Sequence, residues 1–185
     1  MSIRECDELK TCSKLSENSY IIRAFYEPYW DEEKCRGSAS LFEGNFISVD
    51  RATFFGCTKT MQIFFDNFNN ETRSVKGLGV LLVKDLTVIG NELCDSGSNT
   101  NKNATKARIM LHYAPNDKNL NHFELVACDC DKKAMAKISK AMAKKILNKT
   151  IHVPIKNYTT QKPCFEIWKL LAKKLIHKLA PTVRS

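Results

Sequence analysis

Hydrophobic residues first gather in Tyr20-Ile21-Ile22-Arg23-Ala24-Phe25, where β-branched and aromatic side chains predict a strand. Before it, residues 3–14 mix charges and predict one or two helical turns. Ser38 to Val49, interrupted at Glu43-Gly44-Asn45, reads as a hairpin. Residues 50–73 carry Phe54, Phe55, Met61, Ile63, Phe64, Phe65 and Phe68 with no period that selects helix or strand, and the Asn-rich stretch Asn67 to Asn70 closes them. From Val75 the positions Val75, Leu78, Leu82, Leu86 and Ile89 recur every third or fourth residue and predict one helical face. Gly90 is its stop, and Gly77 and Gly79 weaken the first turns. Asn91 to Thr105 is polar and predicts a surface loop. In the helix expected from Asp131, Met135, Ile138, Met142 and Ile146 share a face bordered by Lys133, Lys137, Lys140 and Lys144. Pro163 opens a last helix with Phe165, Trp168, Leu171 and Leu175 on one side, and Pro181 ends it. Packing on the domain, docking a partner and lying on an anionic membrane compete for that helix, with packing the default.

These elements fit one domain, since 185 residues with 43% hydrophobic content support a single core. The formal charge of +9 is uneven: residues 1–50 hold six Lys/Arg against ten Asp/Glu, and residues 131–185 hold fourteen against two. A basic end of this kind suits a nucleic-acid partner, because neutralised phosphates release counterions. No apolar leader opens the chain and nothing reaches the length of a membrane span, so the eight Cys read as reduced thiols in the cytoplasm, with no membrane partner. On that reading the sequons at Asn70, Asn103, Asn148 and Asn157 carry no function. Cys128-x-Cys130 with His122 nearby lacks a second spaced pair, and Asp129-Cys130-Asp131 reads as a helix cap, so neither metal nor cofactor is expected.

The chemistry concentrates in Tyr26-Glu27-Pro28-Tyr29-Trp30-Asp31-Glu32-Glu33-Lys34, followed by Arg36-Gly37. An indole face suits a flat cationic ring such as an N7-methylated guanine, and a neighbouring carboxylate accepts from that base's parallel N1 and N2 donors. This string resembles the signature of the translation initiation factor 4E family, which binds the messenger RNA cap. Leu81 to Glu92 looks like that family's second helix. Ala107 to Tyr113 and Phe123 to Asp129 look like its next two strands, Ala134 to Leu147 like its third helix, and Ile151 to Ile155 like its closing strand.

The resemblance implies an α+β fold, a curved antiparallel sheet backed by about three helices. The cap-binding-like domain would span residues 1–160, with an insertion at about 50–73, and a basic amphipathic helix and tail would occupy 161–185. It implies Trp30 and Asp31 as base-binding residues and Arg108, His112 and Lys118 as phosphate contacts. Phe25, Tyr26 or Phe64 would supply the second stacking aromatic, alongside Phe54, Phe55, Phe65 and Phe68 of the insertion. Leu82, Val83 and Leu86 match the family's contact with an initiation factor 4G-like scaffold protein, although their spacing equally fits the core. Departures are the missing N-terminal Trp, His112 where the family has Arg, Asp31 where it has Glu, and Val126 where it has Trp. The implied function is binding of capped messenger RNA in translation initiation, as a monomer within a complex. The alternatives are an interaction subunit that has lost the cap, or a basic RNA-binding module.

An enzyme is not expected. Asp95-Ser96-Gly97 has no companion His motif, and Glu32-Glu33 has no spaced partner carboxylate.

Overall fold

The computed structural model describes residues 15–52, 74–95, 107–117, 119–131 and 134–155. The expectations for residues 3–14, for Phe64 and most of the insertion, for Lys118 and for the C-terminal helix lie outside the described residues. So do most of the loop before Ala107 and the sequons at Asn70, Asn103 and Asn157.

The architecture is α+β. Strand β1 (Tyr20–Tyr26) leads into a small hairpin of β2 (Trp30–Asp31) and β3 (Arg36–Gly37), a 3-10 turn at Ala39–Phe42, β4 (Ile47–Ala52) and β5 (Val75–Leu82). Helix α1 (Val83–Asp95) crosses to β6 (Ala107–Tyr113), which pairs with β7 (His122–Asp129). Then come β8 (Met135–Ala136), helix α2 (Lys140–Lys149) and β9 (Ile151–Pro154). The main sheet runs β6-β7-β4-β1-β5-β9 with antiparallel neighbours, and β8 adds to β7 beyond the end of β4.

Alternation gives the sheet two different faces. Ile21, Phe25, Ile47, Val49, Leu81, Ala107, Ile109, Leu111, Phe123, Leu125 and Ala127 form one core with Leu86 and Ile89 of α1 and Met142, Ala143 and Ile146 of α2. Ile22, Ala24, Leu78, Val80 and Val153 form a second cluster on the other face, also buried. Because both faces of β5 are buried, its sequence from Gly77 to Leu82 is a continuous apolar run, the pattern most easily mistaken for a helix.

Val75 to Leu82 is therefore a strand, and the helix begins at Val83. The glycines decide it: a Cβ at Gly77 would lie 2.2 Å from the Trp30 ring and one at Gly79 2.5 Å from the Phe25 ring. The helix also passes through Gly90 instead of stopping there. A Cβ at Gly90 would approach the Ile109 backbone nitrogen to 3.1 Å, so its absence lets α1 lie close on β6. In α2 the start is later than expected. Ser139 accepts from the Met142 N–H at 3.4 Å as the cap, and Met135 is spent on β8. Ile138 precedes that cap and is fully buried, exchanging backbone hydrogen bonds with Gly44. Gly44, at φ +141°, thus joins two distant segments where a hairpin turn was expected.

The cysteine reading also changes. Cys94, near the end of α1, is disulfide-bonded to Cys130 in the turn after β7, with a Cα–Cα distance of 6.3 Å; Cys128 is disulfide-bonded as well. The expectation of reduced thiols fails here because the crossing of α1 brings residue 94 back to residue 130, a proximity that 36 positions of sequence separation conceal. Cys35 is a free thiol. Among the described residues, no helix is long and apolar enough to cross a membrane.

Candidate functional site

The Trp30 hairpin is built as a packing device. A turn containing the cis Glu27–Pro28 peptide carries Tyr29 back toward Tyr26, whose carbonyl accepts from the Tyr29 N–H at 2.6 Å. The pairing Trp30↔Gly37 and Asp31↔Arg36 then folds the strand over the sheet. Trp30 is 6% exposed, with its ring 6.0 Å from that of Phe25 and against Gly77; its Nε1–H is buried without an acceptor. Phe25 is fully buried, and Tyr26 packs edge-on to Tyr29 at 5.4 Å. An indole so enclosed presents no face to a base. Asp31 is engaged too: its carboxylate takes a 2.8 Å ion pair from Lys34 and a 3.0 Å bond from the Lys34 N–H. The Lys34 side-chain bond, helped by the backbone bond, holds the Asp31 carboxyl below its usual value.

The residues expected to hold phosphates stand elsewhere. Arg108, Met110 and His112 alternate onto the face of β6 turned away from α1 and α2, since Ala107, Ile109 and Leu111 take the helix side. Trp30 packs on the helix side of β5, four strands across from β6, or about 19 Å at ordinary strand spacing. Trp30 and Asp31 are thus not brought together with Arg108 and His112. Val83 and Leu86 are buried in the core, and Leu82 ends β5 half-buried. This fits their alternative role as packing residues. Val88, 37% exposed, is the large apolar side chain that α1 shows to solvent.

On the face that carries Arg108 and His112, the register assembles a ladder of histidines and carboxylates. His112 lies opposite Glu124, with Nδ1 3.4 Å from Oε2; His122 lies opposite Asp50, with Nδ1 3.2 Å from Oδ1. Asn119 also donates to Asp50 Oδ1 at 2.8 Å. The loop holding Asn119 closes on itself, the Asn116 and Asn119 backbones exchanging hydrogen bonds. Asp50 is 3% exposed, and its Oδ2 is buried with no partner. A buried carboxylate oxygen left unpaired is costly, by about 1–3 kcal/mol or more, so Asp50 stands out as a group placed beside a histidine at the expense of stability. Both imidazoles retain partial access, at 17% of their side-chain surface. Arg108 is exposed on the same face, four residues or about 14 Å along β6 from His112.

Sequence inspection missed His122, Glu124, Asp50 and Asn119 as a group. The usable signal was the alternation His122-x-Glu124 beside Arg108-x-Met110-x-His112; the pairing that makes them neighbours depends on register. Compared with protein-family models, with curated proteins and with solved structures, the chain matches none.

Proposed function

We propose that this protein binds RNA through the sheet face that bears Arg108, His112 and His122, without reading a cap through Trp30. One observation carries the reading: β6 and β7 set an exposed guanidinium and two partly accessible imidazoles on one face, away from the two helices. An antiparallel sheet backed by helices is a common platform for single-stranded RNA. The guanidinium supplies a fixed charge for phosphate, and the overall charge of +9 raises the encounter rate.

A 4E-like descent, with its curved sheet, belongs to this proposal. In its favour, α1, β6, β7, α2 and β9 follow one another in the order that the resemblance implies. What such a descendant would have lost is the base sandwich, with Trp30 now in the core. The test is titration of a fluorescent single-stranded RNA with wild type and Arg108→Ala over a range of salt. We expect the variant to bind more weakly to every sequence, with the salt slope reduced by about one. Unchanged affinity and slope would refute the reading.

A further inference from the structure

We propose, on the basis of that RNA-binding reading, that the two histidine–carboxylate pairs form an acid–base couple that cleaves RNA by transfer to its own 2′-oxygen. His112 and His122 come from adjacent strands and share a face, one position diagonal to the other across β6 and β7. Diagonal positions are roughly 7–8 Å apart, enough for two rings to flank one phosphodiester, each within about 3 Å of the oxygen it serves. Each Nδ1 faces a carboxylate, which fixes ring orientation and leaves Nε2 as the nitrogen to meet a substrate.

The pairs differ in a way that assigns their roles. Asp50 is almost wholly buried, anchored by Asn119, and has one oxygen without a partner. Anchored in this way, Asp50 holds the His122 ring by its Nδ1 side, and the base role is assigned to His122. Glu124 is more exposed, at 25% of its side-chain surface, and His112 is the acid. Arg108, two alternations or about 14 Å from His112 along the strand and on the side away from His122, meets a neighbouring phosphate of the same RNA strand.

In the step, the 2′-oxygen forms a bond to phosphorus as the bond from phosphorus to the 5′-oxygen breaks. The 2′-hydroxyl proton passes to His122 Nε2, and His112 gives its Nε2 proton to the departing 5′-oxygen. The products are a 2′,3′-cyclic phosphate and a 5′-hydroxyl end. Nothing is oxidised or reduced, and proton exchange with water resets both rings. Glu124 and Asp50 act as positioning residues. Among the described residues, the charged groups facing the rings are Asp50 on β4 and Glu124 on β7.

The experiment incubates the full chain with a fluorescent oligouridylate and with its 2′-O-methyl counterpart, identifying products by mass. Wild type should yield cyclic-phosphate ends from the first and none from the second, with a bell-shaped dependence on pH. His112→Ala and His122→Ala should each lose at least about 100-fold in rate, far more than either loses in affinity for the 2′-O-methyl strand. Glu124→Gln should move one limb of the pH profile, which a merely structural role would leave in place. Binding without cleavage by wild type would overturn this proposal and leave the RNA-binding reading standing. Failure to bind either strand would overturn both, and cleavage by both His variants at the wild-type rate would trace the activity to a contaminant and also overturn this proposal.

Discussion

Truncating Trp30 separates its two roles by an order of magnitude in stability. In the structure it is 6% exposed, its ring centroid 6.0 Å from that of Phe25, and it fills the space over Gly77. Replacing a buried Trp by Ala removes its transfer free energy and leaves a cavity, about 3–5 kcal/mol together. For a chain of this size that corresponds to a fall in Tm of roughly 6–20 °C. An exposed stacking Trp would cost within about 0.5 kcal/mol. Trp30→Phe refines the measurement: it gives up part of the volume but also removes an indole N–H buried without an acceptor, worth about 1–3 kcal/mol. It should therefore cost much less than Trp30→Ala. Urea unfolding of the three proteins, followed by far-UV circular dichroism, gives both differences. A Trp30→Ala protein as stable as wild type would refute the packing argument and reopen the base-stacking role.

Other expectations follow from the same contacts. Gly77→Ala puts a Cβ 2.2 Å from the Trp30 ring and should destabilise by about 1–3 kcal/mol or more, read by the same unfolding assay; a neutral result would mean the hairpin does not pack there. The Lys34 bonds lower the Asp31 pKa, so they favour the folded state while the carboxylate is ionised, and that contribution disappears as pH falls below the ordinary value of 3.8. Lys34→Ala should return the Asp31 pKa toward 3.8 in a carboxyl NMR titration, and an unmoved titration would contradict the pairing. Replacing Cys94 and Cys130 together by Ser opens a loop of sequence separation 36 and should cost about 3–4 kcal/mol by chain entropy, seen as a lower Tm under non-reducing conditions. Asn119→Ala, at a buried position, takes a donor from Asp50 Oδ1 and an acceptor from the Asn121 N–H and should lower stability by about 1–3 kcal/mol or more in the same unfolding assay; an unchanged midpoint would contradict the contact.

How legible the fold was depended on where burial is one-sided. β6 and β7 were recognisable because Ala107 to Tyr113 and Phe123 to Asp129 fit a known order of elements, and the structure has strands at Ala107–Tyr113 and His122–Asp129. β5 was misread because Leu78 and Val80 on one face and Leu81 on the other erase the alternation, and the residue spacing then mimics a helix. The start of α2 was misplaced by one strong competitor: Ile138 is apolar because it is buried against Gly44, not because it continues a helical face. At the site, the string around Trp30 is informative about packing, and the same residues that suit a cationic base suit a hairpin folded onto glycines. The ladder of His112, Glu124, His122 and Asp50 was beyond sequence reasoning because cross-strand register joins residues up to 72 positions apart.

If RNA is held on the β6–β7 face and Trp30 belongs to the core, a cap adds nothing to binding. The most direct measurement compares capped and uncapped copies of one short RNA by fluorescence anisotropy, on wild type, Arg108→Ala and Trp30→Phe. Equal affinity for the two RNAs, weakened alike by Arg108→Ala and left in place by Trp30→Phe, is the predicted result. A preference of tenfold or more for the capped RNA, about 1.4 kcal/mol, abolished by Trp30→Phe and indifferent to Arg108→Ala, would contradict it.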